Sequence, residues 1–352
     1  MKNLIIPAAG KSSRFPNMKP KWMLTHPNGD MMIVESISGL NLSEFDFIYV
    51  TTTKEILNKY EGAREGIKQN FLDRYKRNIC VVELDNSTRS QSETVYQTII
   101  KANISGSILV KDSDGFFSSE EFNENCVCYC DASLNDVSKI QNKSFLTFDE
   151  QKLILNIVEK QIISKTFSVG GYFFKDCASF MRTYEELSKF EEVSEVYISN
   201  IINKLILENE KFYAKKTSNF SDWGTIEDWE KYKENFKTIF IDIDGVLFKN
   251  ASRYFFPKWG QSEPLEKNID LLKKILYKKK YQIILTTARN ETAKEETIKQ
   301  LEKYDIKYDK IIFGLNHAKR VIINDFSKTN KYPSCEAINI KRDQDDLELY
   351  FD

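Results

Sequence analysis

The sequence predicts an α/β protein built as two units, and three observations carry that expectation. Short apolar strands alternate with helical patterns along most of the chain. The first strand, Lys2 to Pro7, runs directly into a turn of small residues, Ala8-Ala9-Gly10. Much later, after a charged, Trp-bearing helix, a new apolar strand ends in two aspartates, Asp242 and Asp244. A chain of 352 residues has room for two domains that each bury a core. The boundary is expected near Asn235, giving units 1–235 and 236–352.

The elements follow in order. After Lys2–Pro7 and a loop to Pro16, Phe45–Thr51 and Asn78–Leu84 read as strands, separated by a polar, helix-compatible segment over 54–77. Ser92–Ala102 reads as a helix and Gly106–Lys111 as the next strand, which together suggest a mostly parallel sheet. Cys126–Cys130, Lys152–Val158 and Gly170–Phe174 add strands. Ser194–Glu208 carries Ile198, Ile201, Ile202 and Leu205 at helical spacing. Thr225–Lys237 is the expected connecting helix. The second unit alternates again: a strand at Ile239, a helix over 269–278, a strand over 281–285, a helix over 292–304, and strands at Ile311 and over 320–323.

Composition narrows the function. Lys+Arg total 51 against Asp+Glu 52, so no strong electrostatic case exists for a nucleic-acid binder. No apolar run approaches the roughly 20 residues that cross a bilayer, and the first residues are too short for a secretory h-region. A cytoplasmic enzyme is the expectation. Cys126, Cys128 and Cys130 alternate along one strand and so share a face; small buried thiols fit that spacing better than metal ligands, which favour C-x-x-C turns.

At the N-terminus, Ala8, Ala9, Gly10, Ser12 and Ser13 form a small-residue loop whose amides can approach a phosphate chain, followed by the cation Arg14. Lys21, directly after Pro20, supplies a second cation on a fixed turn. The loop with Pro20-Lys21 resembles the signature of the sugar-phosphate nucleotidyltransferases, which have a GT-A-like Rossmann core. Further pieces resemble that family in order. Gln91, Glu93 and Thr94 match the segment that contacts the base. Asp112 and Asp114, in Lys111-Asp-Ser-Asp-Gly115, match its strand-end metal site, and Asp222 the late metal ligand. Glu159, Lys160 and Gly171 match the sugar-phosphate side.

The chemistry is consistent with the resemblance. A phosphate monoester is already anionic, so attack on an α-phosphorus needs alignment and charge neutralisation rather than a strong base. Arg14 and Lys21 would offset phosphate charge, and Asp112 or Asp114 with Asp222 would hold Mg²⁺. Only two histidines exist, His26 and His317, which leaves little room for histidine acid–base chemistry. Asp112 to Gly115 is also ordinary turn chemistry, and that reading stays open.

In the second unit, Asp242-Ile-Asp244-Gly245 resembles motif I of the haloacid dehalogenase superfamily, and the unit is expected to be small and Rossmannoid with a minimal cap. A first carboxylate, Asp242, can attack phosphorus, and Asp244, two residues on and on the same strand face, can protonate the leaving oxygen. Thr286 or Thr287, in Leu285-Thr-Thr-Ala-Arg289, resembles the phosphate-binding motif II, with Thr286 preferred. Asp325 resembles the acid that completes a Mg²⁺ site with Asp242 and Asp244. Lys319 and Lys310 compete for the lysine role, Lys319 being favoured. The aromatic, basic segment Arg253 to Trp259 suits a lid, an interface or a packing loop equally.

Together these resemblances imply a bifunctional, magnesium-dependent enzyme. One unit would join a nucleoside triphosphate, CTP being favoured, to a sugar or polyol phosphate; the other would hydrolyse a phosphomonoester, within surface-polysaccharide precursor synthesis. A glycosyltransferase on the same core, or a nucleotide-binding protein with a degenerate phosphatase unit, are the competing expectations.

Overall fold

The computed structural model of the protein describes residues 1–11, 15, 18–132, 140–189, 195–278, 281–325 and 335–351. The chain divides into two compact units, Met1–Trp229 and Glu230–Asp352. That division falls inside the helix Ile226–Lys233 rather than after it, because Trp229 is buried in the first unit against Trp223 and His26.

In the first unit the strands are β1 (Lys2–Pro7), β2 (Phe47–Thr53), β3 (Cys80–Leu84), β4 (Ser107–Lys111), β5 (Gly115–Ser118), β6 (Cys126–Asp131), β7 (Ser144–Phe148), β8 (Ile154–Glu159), β9 (Thr166–Phe174), β10 (Tyr213–Lys216) and β11 (Ser218–Asp222). Among the described residues, nine of them form one sheet in which β10-β6-β9-β4-β1-β2-β3 lie side by side, with β7 and β8 attached beside β9. Strands β3, β2, β1 and β4 are parallel, whereas β9 runs antiparallel to both β4 and β6. β5 and β11 make a separate antiparallel ribbon that places Asp222 opposite Gly115.

Apolar side chains fill both faces of this sheet. Leu4, Ile6, Val50 and Leu109 point into one core, and Ile5, Tyr49, Ile108 and Val110 into the other. That explains why the strands read as unbroken apolar runs rather than as alternation. Cys126 and Cys128 belong to the first of these cores, with Cys130 half-buried beside them, while Val127 and Tyr129 face the second. The shared thiol face is therefore a packing face. The strands β5, β7, β10 and β11 and the helix Cys177–Ser188 have no counterpart among the sequence expectations.

The order around β1 locates the site. The chain leaves β1 for β2 on one side and reaches β4 on the other, so the strand order reverses between β1 and β4. In open α/β sheets, ligands bind outside the carboxyl ends of the strands at such a reversal. Here those ends are Pro7-Ala8-Ala9 and Lys111-Asp112.

The second unit has a parallel three-stranded sheet: β12 (Thr238–Asp242), β13 (Gln282–Thr286) and β14 (Lys310–Ile312), in that spatial order. Ile241, Ile283 and Leu285 pack with Leu272 of the helix Glu266–Lys278 and Leu301 of the helix Lys294–Lys303. The strand expected over 320–323 is absent. Val321, Ile322 and Ile323 are 71%, 54% and 93% exposed and outside the sheet. Their β-branched composition satisfies strand propensity, but propensity reflects packing on a neighbour, and among the described residues no strand pairs with them.

Candidate active site

At the end of β4 the chain turns through Asp112-Ser113-Asp114 into β5, and three lysines and three aspartates gather around that turn. Lys21, in the short 3₁₀ turn Lys21–Met23 behind Pro20, donates to Asp114. Buried Trp22 pins that turn into the core. Lys143, just before β7, lies 2.6 Å from the Oδ2 of Asp222 at the end of β11. Lys111, the last residue of β4, is fully buried, and its ammonium donates to the carbonyls of Asp112 (2.8 Å) and Gly115 (2.7 Å). It also sits 4.8 Å from the centroid of the Phe117 ring. The lysine thereby clasps the turn that carries both aspartates. Gln91, the first residue of the helix Gln91–Lys101, donates its side-chain amide to Asp112.

Gly170 lets Asp112 approach. Its φ is +79°, and a Cβ there would collide with the Asp112 carboxylate. Asp112 in turn donates its backbone N–H to the Gly170 carbonyl at 2.8 Å. The Gly170-Gly171 pair is thus half site and half packing: a Cβ on Gly171 would strike Phe117 and Cys128 in the core, 2.6 and 2.9 Å away.

Electrostatics set the two aspartates apart. Burial, together with the charge of Asp114, pushes the Asp112 carboxyl up, against the pull of Lys111 and its Gln91 hydrogen bond. Burial also works against Asp114, but Lys21 and Lys143 outweigh it and hold its pKa at about 2. Lys111 is lowered to about 8 by burial, despite Asp112 and Asp114 nearby. Lys143 is disfavoured by burial yet raised on balance by Asp222 and Asp114. One carboxyl is crowded by a like charge, its neighbour doubly neutralised.

These donors suit a magnesium ion in kind, since they are carboxylate oxygens, and like-charge crowding at Asp112 is what a bound cation relieves. In this arrangement, however, no three metal-binding side chains converge among the described residues. Lys21 and Lys143 lie against Asp114 and Asp222 instead.

The remaining expected residues divide. Ser12, Ser13 and Arg14 lie outside the described residues. Ala8 and Ala9 are core residues on opposite faces, and the amide of Ala8 donates to Thr51, so it is not part of an anion nest. An added Cβ on Gly10 would meet nothing within 4 Å, so that part of the loop borders open space. Glu93 and Thr94 organise their own helix start: Glu93 accepts from the Arg89 amide at 2.7 Å, and Thr94 bonds Thr88 at 2.6 Å. The cap is Ser90, whose hydroxyl accepts from the Glu93 amide at 3.1 Å, which is the local reason for the Ser90-Gln-Ser-Glu93 pattern. Glu159 accepts from Ser144 and, at 3.0 Å, from Ser199. Lys160 turns away to Tyr197, 2.6 Å from its hydroxyl and 4.5 Å from its ring centre. Lys143, unremarkable in sequence, stands in the carboxylate cluster instead. Nothing in its local pattern marks it; Lys111 was at least visible as a cation at the very end of an apolar strand.

In the second unit Asp242 closes β12 opposite Thr286 of β13. Gly245, with φ +88°, turns the chain out of the sheet. Asp244 accepts at both oxygens from Arg289, 2.9 and 2.8 Å away. Arg289 is wholly buried and also donates to Thr297 and Gln300. Asp242 is met by Arg320 at 3.0 Å. Three expectations change. Thr286 donates to the Ile241 carbonyl at 3.2 Å, and it is Thr287 that faces Asp244, at 3.4 Å. Arg320, not its exposed neighbour Lys319, is the cation at Asp242. Asp325 sits in the exposed stretch that follows β14 outside the sheet, and among the described residues it does not complete a metal cluster with Asp242 and Asp244. Guanidinium groups meet both carboxylates, so these residues do not fit a metal ion as arranged.

No protein-family model matches the chain, and no curated protein matches it in sequence. Solved structures do match in fold. A nucleoside-diphosphate-sugar pyrophosphorylase from Vibrio cholerae RC9 is 21% identical with a TM-score of 0.56, covering 66% of this chain and 99% of its own. A UDP-glucose pyrophosphorylase complexed with UDP-glucose is 16% identical, with a TM-score of 0.51 and the same coverage. An apo UDP-glucose pyrophosphorylase is 14% identical with a TM-score of 0.50, again covering 66% and 99%. At these identities the likeness is one of fold: the chain contains the α/β architecture of nucleotide-sugar pyrophosphorylases. The described residues contain no helix long and apolar enough to cross a membrane.

Proposed function

We propose that the first unit transfers a nucleotidyl group from a nucleoside triphosphate to a phosphorylated sugar or polyol. The observation that carries this reading is the cluster of Lys21, Lys111 and Lys143 with Asp112, Asp114 and Asp222 at the strand-order reversal of a pyrophosphorylase-like sheet. An oxygen of the acceptor phosphate attacks the α-phosphorus, the bond from that phosphorus to the α–β bridging oxygen breaks, and pyrophosphate leaves with the electron pair. Lys21 neutralises charge on the departing pyrophosphate. Lys111 keeps the Asp112–Gly115 turn in shape, and Gln91 orients Asp112. Asp112, with Asp114 and Asp222 once their lysines turn to phosphate, would hold Mg²⁺, which when bound supplies further charge neutralisation. The test is a screen of the four nucleoside triphosphates against sugar and polyol phosphates, with pyrophosphate as readout. Release should require both substrates; release of nucleoside diphosphate from nucleotide sugars instead would mean glycosyl transfer.

For the second unit we infer phosphomonoester hydrolysis through Asp242. Its carboxylate attacks phosphorus, the ester oxygen leaves, and water then cleaves the acyl phosphate. Support comes from its strand-end position opposite Thr286 and its contact with the cation Arg320. Both oxygens of Asp244 accept from Arg289, so no proton donor is assigned to the leaving oxygen. The leaving oxygen then departs as an anion. An aryl ester such as p-nitrophenyl phosphate should be cleaved far faster than glycerol phosphate, and Asp242→Asn should abolish both while leaving nucleotidyl transfer intact. Equal rates on the two esters would restore a general acid to the site.

A further inference from the structure

The Lys143–Asp222 pair has a placement that the reaction above does not by itself require. Lys143 immediately precedes β7, and its carbonyl accepts from the amide of Lys160 at 3.0 Å. The next residue, Ser144, stands opposite Glu159 in the β7–β8 ladder. Lys143 therefore lies beside Glu159 and Lys160, while Lys21 meets the same cluster at Asp114. Of the two cations available beside Glu159, Lys160 is taken up by Tyr197. Lys143 is the one that feels Asp222, Asp114 and Asp112 together.

The pair is also built to exchange. Lys143 and Asp222 side chains are 25% and 27% exposed, so both can be reached from solvent. A lysine is a point charge on a flexible stem, and Lys143 holds Asp222 through its ammonium rather than through a rigid guanidinium fork. A phosphate dianion carries twice the charge of that carboxylate and more acceptor oxygens.

We propose that Lys143 receives the phosphate of the acceptor substrate, and that Asp222 is its partner until that phosphate arrives. The proposal deepens the nucleotidyl-transfer reading by assigning the two partly exposed lysines to different anions, Lys21 to the triphosphate and Lys143 to the phosphomonoester. It also makes the acceptor phosphate the agent that frees Asp222.

The test is calorimetric titration of the full-length protein with inorganic phosphate, together with steady-state kinetics on the pair found in the screen. Lys143→Gln should weaken phosphate binding about 10- to 100-fold, the worth of a charge-assisted hydrogen bond. Its KM for the phosphorylated acceptor should rise correspondingly and that for the triphosphate stay within about twofold. Lys143→Arg keeps the charge and should retain binding. Asp222→Asn releases the ammonium and removes a repelling carboxylate, so phosphate should bind more tightly than to the unaltered protein. This variant reads the proposal even if Lys143→Gln fails to fold. Unchanged phosphate affinity in Lys143→Gln, or weaker binding in Asp222→Asn, overturns the assignment, as does a wild-type protein that binds no phosphate. The two readings fail separately. Pyrophosphate release with a Lys143-independent acceptor KM sinks only the subsite, whereas Lys143-dependent phosphate binding without pyrophosphate release from any pair sinks only the transfer reaction.

Discussion

The two units hold their aspartates in opposite ways. In the first, Asp114 and Asp222 are met by lysine ammonium groups at partly exposed contacts. In the second, Asp244 is gripped at both oxygens by Arg289, whose side chain is 0% exposed and whose Nη1 is engaged by Thr297 and Gln300. A guanidinium fork is rigid and geometrically selective, whereas an ammonium is a mobile point charge. Identical carboxylate chemistry thus yields a set of exchangeable pairs in one place and a fixed structural post in the other. What distinguishes them is the cation's shape and burial rather than the number of acids.

The sharpest way to break this contrast is to remove each cation. Arg289→Ala leaves a largely but not fully buried carboxylate and two buried polar groups without their donor, and should destabilise the second unit by about 3 kcal/mol, measured by denaturant unfolding. The double variant Arg289→Met with Asp244→Leu should recover most of that loss. If Arg289→Ala melts like the unaltered protein, the pair is not structural. Lys21→Ala should instead leave stability nearly unchanged and slow nucleotidyl transfer about 10²- to 10³-fold, by analogy with removing one charge-stabilising donor; an unaltered rate would take Lys21 out of the reaction.

Glycines give a smaller, paired comparison. Gly170 and Gly245 both have positive φ, so alanine strains either one by about 1–3 kcal/mol. At Gly170 the new methyl also meets the Asp112 carboxylate, while at Gly245 its nearest neighbour is the flexible Arg342 side chain at 3.0 Å. Gly170→Ala should therefore cost more stability than Gly245→Ala, and should also depress transfer; the reverse order in thermal melts would contradict the geometry at Asp112. The mildest test is chemical. Cys128 is buried, and burial holds its thiol well above the ordinary range, whereas Cys335 of the second unit is exposed. Alkylation of the native protein followed by peptide mapping should mark Cys335 and spare Cys128. Labelling of Cys128 at a comparable rate would mean that the first unit's core opens readily.

Much of the architecture was legible because it rests on local pattern. Unbroken apolar runs such as Leu4-Ile5-Ile6 and Ile108-Leu109-Val110 announce strands buried on both faces, and Ile198, Ile201, Ile202 and Leu205 at helical spacing announce a helix. The same kind of reading failed at Val321-Ile322-Ile323, where composition favours a strand and no neighbour accepts it. Small residues misled in a related way: Ala8 and Gly171 are small because the core around them is tight.

Sequence alone was enough to establish alternating strands and helices, the two strand-end acidic turns at Asp112 and Asp242, and the Pro20-supported Lys21. Spacing and residue chemistry are properties of contiguous chain, and so they can be read along it. Which cation meets which acid was settled only by folding. Lys143 reaches Asp222 across 79 positions because β7 begins where β11 ends, Lys160 is diverted by Tyr197, and Arg289 and Arg320 displace Lys319 as partners of the second unit's aspartates. Long, flexible side chains choose among several partners within reach, and the choice depends on burial and geometry that no linear pattern contains.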